Sequence, residues 1–261
     1  KKTFLQHTVE NQISRIDAAR KRHADLALAR VEEKYTLLKT APSGSREEFI
    51  AFFRECFRDS AWTVALWDPA AGTPLHDPKG LLRKGFPETL DGGEFRDFSA
   101  WRIGDFGELR AFFGIPAATV DKAVKEEIAS EIHASRFPFD SYIWVNEVVN
   151  YDGGVNYAIR RVHPNLRDTE GAFLSTETRD VKGNRPYLAE LEGVKKDGNI
   201  FFTYFFKRKS SEEISEKLTY AELYRDYNWI VAMGIHLDDI FESIRKANEE
   251  SGTTSGRLIL L

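Results

Sequence analysis

Residues 142 to 163 carry the side chains best suited to chemistry, and their spacing is that of two neighbouring strands. In YIWVN, period-two alternation puts Tyr142, Trp144 and Asn146 on one face, and in NYAIRRVH it puts Tyr157, Ile159, Arg161 and His163 on one face. Aromatic walls with an arginine, a histidine and an amide suit a small carboxylate: the guanidinium gives two charge-assisted hydrogen bonds while the rings exclude water. Tyr204 and Phe206 alternate in the same way farther along, with Lys217 and Tyr220 beyond them. The candidate ligand-binding set is therefore Tyr142, Trp144, Asn146, Tyr157, Arg160, Arg161, His163, Tyr204, Phe206, Lys217 and Tyr220.

Each of these residues has a plainer reading as well. Arg160 and Arg161 are adjacent and must point to opposite faces, so one of them belongs to the solvated surface; the sequence leaves open which. His163, before Pro164, is equally suited to bonding a turn, Lys217 to a sheet face, and Tyr142, Trp144 and Tyr204 to a packed core. Catalytic signatures are missing. The chain has no GxSxG, no GxxxxGK[ST] and no HExxH, and Cys56 stands in no nucleophile context, so neither a catalytic residue nor a cofactor is expected. A hydrolase built around His163 and Asp180 has no substrate to recommend it. His236, Asp238 and Asp239 fit a helix start, where aspartates complement the dipole, better than a metal site.

The elements that must position these residues follow from pattern and punctuation. Lys1 to Thr40, without Gly or Pro and with Leu5, Val9, Ile13 and Ile16 at helical spacing, predicts one helix reaching about 60 Å. Ala41-Pro42-Ser43-Gly44-Ser45 stops it, and Ser45 with Glu48 caps a second helix through Phe57. Trp62 to Trp67 reads as a strand, Gly72 to Gly93 as loop, and Phe95 to Ile115 as short strands of a small lobe whose aromatic residues form core. A helix from Thr119 to Ser135 opens a second lobe. Strands follow at Tyr142 to Val149 and Asn156 to Val162, joined through Asp152-Gly153-Gly154, then a helix at Pro186 to Lys195 and strands at Asn199 to Lys207 and Ser215 to Tyr224. Tyr227 to Ile235 is an apolar run fit for a central strand, and Asp238 and Asp239 begin an exit helix directly after it.

Composition narrows the function classes. With 261 residues and 42% hydrophobic content the chain can bury a sizeable core. A net charge of -4 without a polybasic block argues against nucleic acid, and one cysteine excludes an intrachain disulfide. No apolar run is long enough to span a bilayer.

The stretch from Lys217 through Tyr227-Asn228-Trp229-Ile230-Val231, Gly234 and Leu237-Asp238-Asp239 resembles the end of a Cache domain, the extracytoplasmic sensor module of bacterial histidine kinases, chemoreceptors and diguanylate cyclases. Upstream, Tyr142-Ile143-Trp144-Val145-Asn146, His163-Pro164, Gly171, the Asp180 to Gly183 turn, Gly198 and Phe202 to Phe206 fall in the order of the Cache_2 type. The resemblance covers about residues 119 to 245. It implies an α+β fold, a long N-terminal helix with two PAS-like antiparallel-sheet lobes: residues 1-57 as the helices, 58-118 as a small membrane-distal lobe, 119-247 as the Cache_2-like lobe and 248-261 as an exit segment. It further implies a periplasmic domain, cut from a longer inner-membrane protein, that binds a small solute and signals through its C-terminal helix. The combination that marks amino-acid-binding double Cache domains is not recognisable, which leaves short carboxylates as the favoured ligand. A homodimer through the N-terminal helix is expected, and the competing reading is a ligand-free PAS-like dimerisation module.

Overall fold

The computed structural model describes residues 1–41, 44–84, 95–208 and 212–258. Pro42, Ser43 and the part of the expected loop from 85 to 93 lie outside the described residues, as does the end of the chain after Leu258. Two compact units are present, one of Asp17–Glu127 and one of Lys1–Ile16 with Ile128–Leu261. The first helix, α1, runs Lys2–Lys39 without a break.

In the Asp17–Glu127 unit, helix α2 (Arg46–Cys56) begins with the capping box read from the sequence: Ser45 Oγ accepts from Glu48 N, and the Glu48 carboxylate accepts from Ser45 N. Strands β1 (Thr63–Asp68), β2 (Thr73–His76), β3 (Phe98–Phe106) and β4 (Leu109–Pro116) form an antiparallel sheet in the order β2-β1-β4-β3. β2 corrects the expectation of loop from Gly72 onward. Its four residues are partly exposed and contain a proline, so they carry no apolar alternation, and only pairing with β1 makes them a strand. Rings fill both sides of this sheet. Trp62, Leu66 and Phe113 pack with Phe53, Val31 and Leu38 on one side, and Trp67 and Phe112 pack with Phe95 on the other. The buried polar groups here are partnered: Asp68 accepts from Ala70 N and Ala71 N and pairs with Arg46, and Lys79 donates to Thr63.

Helix α3 (Ala117–Ala134) leads into the other sheet, built of β5 (Tyr142–Val148), β6 (Ala158–Val162), β7 (Phe173–Leu174), β8 (Asn199–Lys207), β9 (Ile214–Tyr224) and β10 (Trp229–His236). Its order is β7-β6-β5-β10-β9-β8, antiparallel throughout, so β10 is central and all eight of its residues are buried. The two-residue edge strand β7 has no counterpart in the sequence reading, because nothing so short carries a period. Helix α4 (Pro186–Asp197) crosses one face and ends at Gly198, whose φ of 80° forms the left-handed cap. Helix α5 (Leu237–Leu258) follows β10 with no intervening loop, and it absorbs most of what was expected as a separate exit segment.

α4 lies so close to β8 that a Cβ at Gly193 would come within 2.4 Å of Ile200 Cδ1 and 2.5 Å of Ile200 Cβ. Replacing a helical glycine with alanine gains about 1 kcal/mol of helix propensity, while overpacking against a β-branched side chain that cannot rotate away costs about 1–3 kcal/mol. Gly193→Ala is therefore expected to lower the urea midpoint, by a net loss of about 1 kcal/mol; an unchanged or higher midpoint would show that the helix and strand can part without cost.

Candidate ligand-binding site

Where α4 and the Thr178–Val181 segment cover the sheet there is a cavity of about 290 Å³. β5 supplies Trp144 and Asn146, the end of β6 supplies His163, β8 supplies Tyr204, Phe205, Phe206 and Lys207, and α4 supplies Pro186 and Tyr187. Asp180 fastens the covering segment to β8. Burial alone would raise its pKa, but hydrogen bonds from Phe205 N, Asn184 Nδ2, Lys182 N and Asn184 N to its carboxylate hold it below the usual range.

Five of the eleven predicted residues, Trp144, Asn146, His163, Tyr204 and Phe206, line this cavity. Tyr142, Tyr157, Arg160 and Lys217 stand immediately behind that lining. Lys217 Nζ lies 3.9 Å from the Tyr142 ring centroid, 4.6 Å from that of Trp144 and 5.6 Å from that of Phe206. The His163 ring is 5.2 Å from Tyr142 and stacks on Trp144 at 6.0 Å. Arg160 donates to Tyr187 Oη at 2.9 Å and to Thr169 Oγ1.

Arg161 and Tyr220 are elsewhere, and both corrections have a structural cause. The β5–β6 register slips between Val145 and Asn146: Asn146 faces Arg160 while Val145 faces Val162, so Arg161 is the extra residue of a bulge. The bulge breaks the simple alternation and puts Arg160, not Arg161, on the cavity side with His163. Arg161 instead pairs with Glu147 at 2.8 Å, beside Trp229, on the opposite face. Tyr220 is three residues from Lys217, an odd spacing that places it on that opposite face, where its ring meets Phe201 and its hydroxyl donates to Glu222.

The sequence reading missed Glu190. Tyr187, Glu190, Leu191 and Val194 share one stripe of α4, so a carboxyl on an otherwise apolar face was the available signal. Glu190 is 2% exposed and accepts from Asn146 Nδ2 at 3.2 Å and Tyr157 Oη at 3.1 Å. Burial raises its pKa to about 7 in spite of those hydrogen bonds.

Across the cavity the balance of charge is positive. Lys217 is 1% exposed, and its Nζ has no hydrogen-bond acceptor among the described residues. Burial lowers its pKa to about 7, against a smaller upward pull from Asp140. Arg160 is 7% exposed, and its bonds are to hydroxyls. His163 is held well below the usual histidine value by burial first and then by Lys217 and Arg160. His236, opposite Lys217 in the β9–β10 register, shares a 2.8 Å hydrogen bond with Ser215 through Nδ1. Its pKa falls to about 4, through burial first and then Lys217 and Arg208. Among the described residues no group of three or more His, Cys, Asp or Glu could hold a metal ion.

A histidine held neutral when folded regains its ordinary basicity on unfolding, so the unfolded chain binds more protons as pH falls below about 6.5. The stability that neutral His236 contributes is present above that pH and is lost progressively towards about 4. Glu190 works in the opposite sense over part of the same range, which makes the difference between variants the informative quantity. His236→Gln should lose less melting temperature than wild type between about pH 6.5 and about pH 4; equal losses would mean that His236 is not held neutral.

Residues 112–241, about half the chain, match the family model of the Cache domain. Among curated proteins the chain is similar to the sensor histidine kinase MctS of Rhizobium johnstonii, 28% identical over 132 residues, which is 51% of this chain and 26% of that protein. It is also similar to the methyl-accepting chemotaxis protein McpP of Pseudomonas putida, 22% identical over 136 residues, 51% of this chain and 23% of that one. The chain thus spans about a quarter of the length of these relatives. Among solved structures it is similar to a Cache chemosensory domain described for its carboxylic acid recognition, with 21% identity, a TM-score of 0.39, and 44% of this chain and 72% of that chain covered. The ligand-binding domain of Mlp24 with asparagine is 12% identical, with a TM-score of 0.37 and 94% and 95% covered. The stretch from 112 to 241 is a Cache domain, and through it the chain belongs to the Cache sensor family.

Proposed function

We propose that this chain is the extracytoplasmic sensor of a membrane signal-transduction receptor, binding a short carboxylate in the cavity between α4 and the sheet and signalling through α5. The observation that carries the ligand class is the buried guanidinium of Arg160 and the buried amine of Lys217 behind the ring-lined cavity. Lys217 Nζ has no acceptor among the described residues, and Arg160 is bonded to hydroxyls only. A carboxylate is the group that gives both a counter-charge while leaving an apolar tail for Trp144, Tyr204 and Phe206. A volume of about 290 Å³ suits a few carbons rather than a large metabolite.

The proposed ligand-binding residues are Trp144, Asn146, His163, Tyr204 and Phe206 at the cavity wall, with Arg160 and Lys217 as the basic groups behind it. The names of the two relatives, a sensor kinase and a chemotaxis protein, fit a receptor that passes its signal to a partner output domain. The route we propose starts at the end of β8. Phe206 and Lys207 line the cavity, and the next residue, Arg208, pairs with Asp239 at 2.7 Å in the first turn of α5. A shift of β8 on ligand binding is transmitted by that pair and by the loopless β10–α5 junction. Pairing of two copies through α1, where Leu26 and Leu28 are half exposed, completes the proposal.

Two measurements test it. In a thermal-shift panel of short carboxylates, amines and nucleobases, a carboxylate should raise the melting temperature by mass action. Lys217→Met should abolish that shift and also stabilise the ligand-free domain, by on the order of 1 kcal/mol, because a costly buried amine is replaced by an apolar chain of similar length. Stabilisation by amines or nucleobases alone would overturn the ligand class. In a membrane-anchored dimer, spin labels on α5 should change separation at saturating ligand, and Arg208→Ala should shrink the change while leaving affinity within about threefold. A constant separation in the wild type removes the signalling route.

A further inference from the structure

We propose that the pocket takes up one proton with each carboxylate it binds, that Lys217 is the group that accepts the proton, and that the domain therefore responds to its ligand and to acidity together. This rests on the carboxylate reading above and adds a second input to the same site.

The geometry makes the amine a poor host for charge until an anion arrives. Lys217 leaves the sheet surface through a gap that only glycine allows: a Cβ at Gly234, on the neighbouring strand, would lie 2.6 Å from Lys217 Cε and 2.5 Å from Thr219 Oγ1. The chain then ends between the Tyr142 and Trp144 rings of β5 and the Phe206 ring of β8. Ring faces attract an ammonium but accept none of its three N–H bonds as a carboxylate oxygen does. Burial, not repulsion, disfavours its charge, and the polar groups nearby offer it little compensation. Arg160 and His163 approach from β6 and His236 from β10, with Arg208 beyond His236. Asp140, ahead of β5, favours the ammonium. Glu190, on α4, is engaged by Asn146 and Tyr157, and the burial that places Lys217 near the middle of the physiological range does the same for it.

A carboxylate in the cavity changes this balance. It offers an acceptor and a negative charge at one stroke, to an amine that lies 4.6 Å from the centroid of the cavity-lining Trp144 ring. Binding then favours protonation and, by linkage, protonation favours binding to the same degree. The proton comes from solvent and no covalent bond between ligand and protein is made. The two histidines stay neutral, because the added ammonium lowers their basicity further.

Isothermal titration of propionate, or of whichever short acid gives the largest thermal shift, in buffers of different ionisation enthalpy tests this directly. At about pH 8 the heat should vary with the buffer by an amount approaching one proton taken up per ligand, and affinity should fall about tenfold per pH unit above that. Lys217→Arg, which stays charged at every pH used, should bind with a heat that no longer depends on buffer, and Glu190→Gln should keep the wild-type dependence. Wild-type binding with buffer-independent heat overturns the inference even if the arginine variant fails to fold. Retention of the dependence in a folded Lys217→Arg overturns the assignment to Lys217. If no acid of the panel gives binding heat, the carboxylate reading itself falls, a result distinct from binding without proton uptake.

Discussion

A lysine amine enclosed by a β-sheet, with rings on its sides and no hydrogen-bond acceptor among the described residues, is the constraint to which this unit answers. Taking an ammonium out of water costs several kcal/mol unless hydrogen bonds replace its hydration. A sheet selected for stability alone would carry methionine or leucine there. Around Lys217 the neighbours are fitted to its presence: Gly234 clears its path, Tyr142 and Trp144 lend their electron-rich faces, and the two nearby histidines are kept neutral. Several residues thus support one unfavourable burial, which is the pattern of a site, where stability is exchanged for recognition.

Glu190 is the counterpart on the facing helix. A free carboxylate opposite two buried cations would satisfy them internally and leave little reason for an anion to enter. Instead Asn146 and Tyr157 hold it, and burial raises its pKa to about 7. No ion pair between Glu190 and either cation is formed among the described residues. The unit of Asp17–Glu127 differs in kind. Its sheet is packed with rings on both sides, and the buried Asp68 and Thr63 are bonded within the protein.

Much of the fold was legible because the signals were local. The Ser45 to Glu48 capping box, the Gly198 stop of α4 and the apolar run that becomes β10 each state their structure within a few residues. The run gave its start two residues early, since Arg225–Tyr227 forms a 3-10 turn and Asn228, at a φ of 52°, redirects the chain before Trp229. What sequence could not supply was registration between strands. Alternation within NYAIRRVH puts Arg161 on the face of His163 but leaves open which arginine meets the cavity, and only the pairing of Asn146 with Arg160 reveals the bulge that brings Arg160 there. Glu190 stayed hidden for a related reason: helical spacing marks which face is buried, but not that the strand opposite brings an amide and a phenol to receive a carboxyl.

In the proposed signalling route, thermodynamics limits how strong the signal from cavity to exit helix can be. A ligand shifts a two-state equilibrium only by its difference in affinity for the two states. One charge-assisted hydrogen bond formed in a single state is worth about 1.5 to 3 kcal/mol, a bias of roughly 10- to 150-fold. At the upper end of that range this is enough to turn a minor state of a few per cent into the major one, provided the displacement reaches α5 without being absorbed. β10 and α5 share a continuous backbone, and Arg208 ties the cavity-lining end of β8 to Asp239 with both side chains about four-fifths buried. A flexible linker at that junction would dissipate a bias of this size. In the proposed route, the helix that begins on the residue after His236 would instead take up the movement that ligand binding causes in the sheet around Lys217.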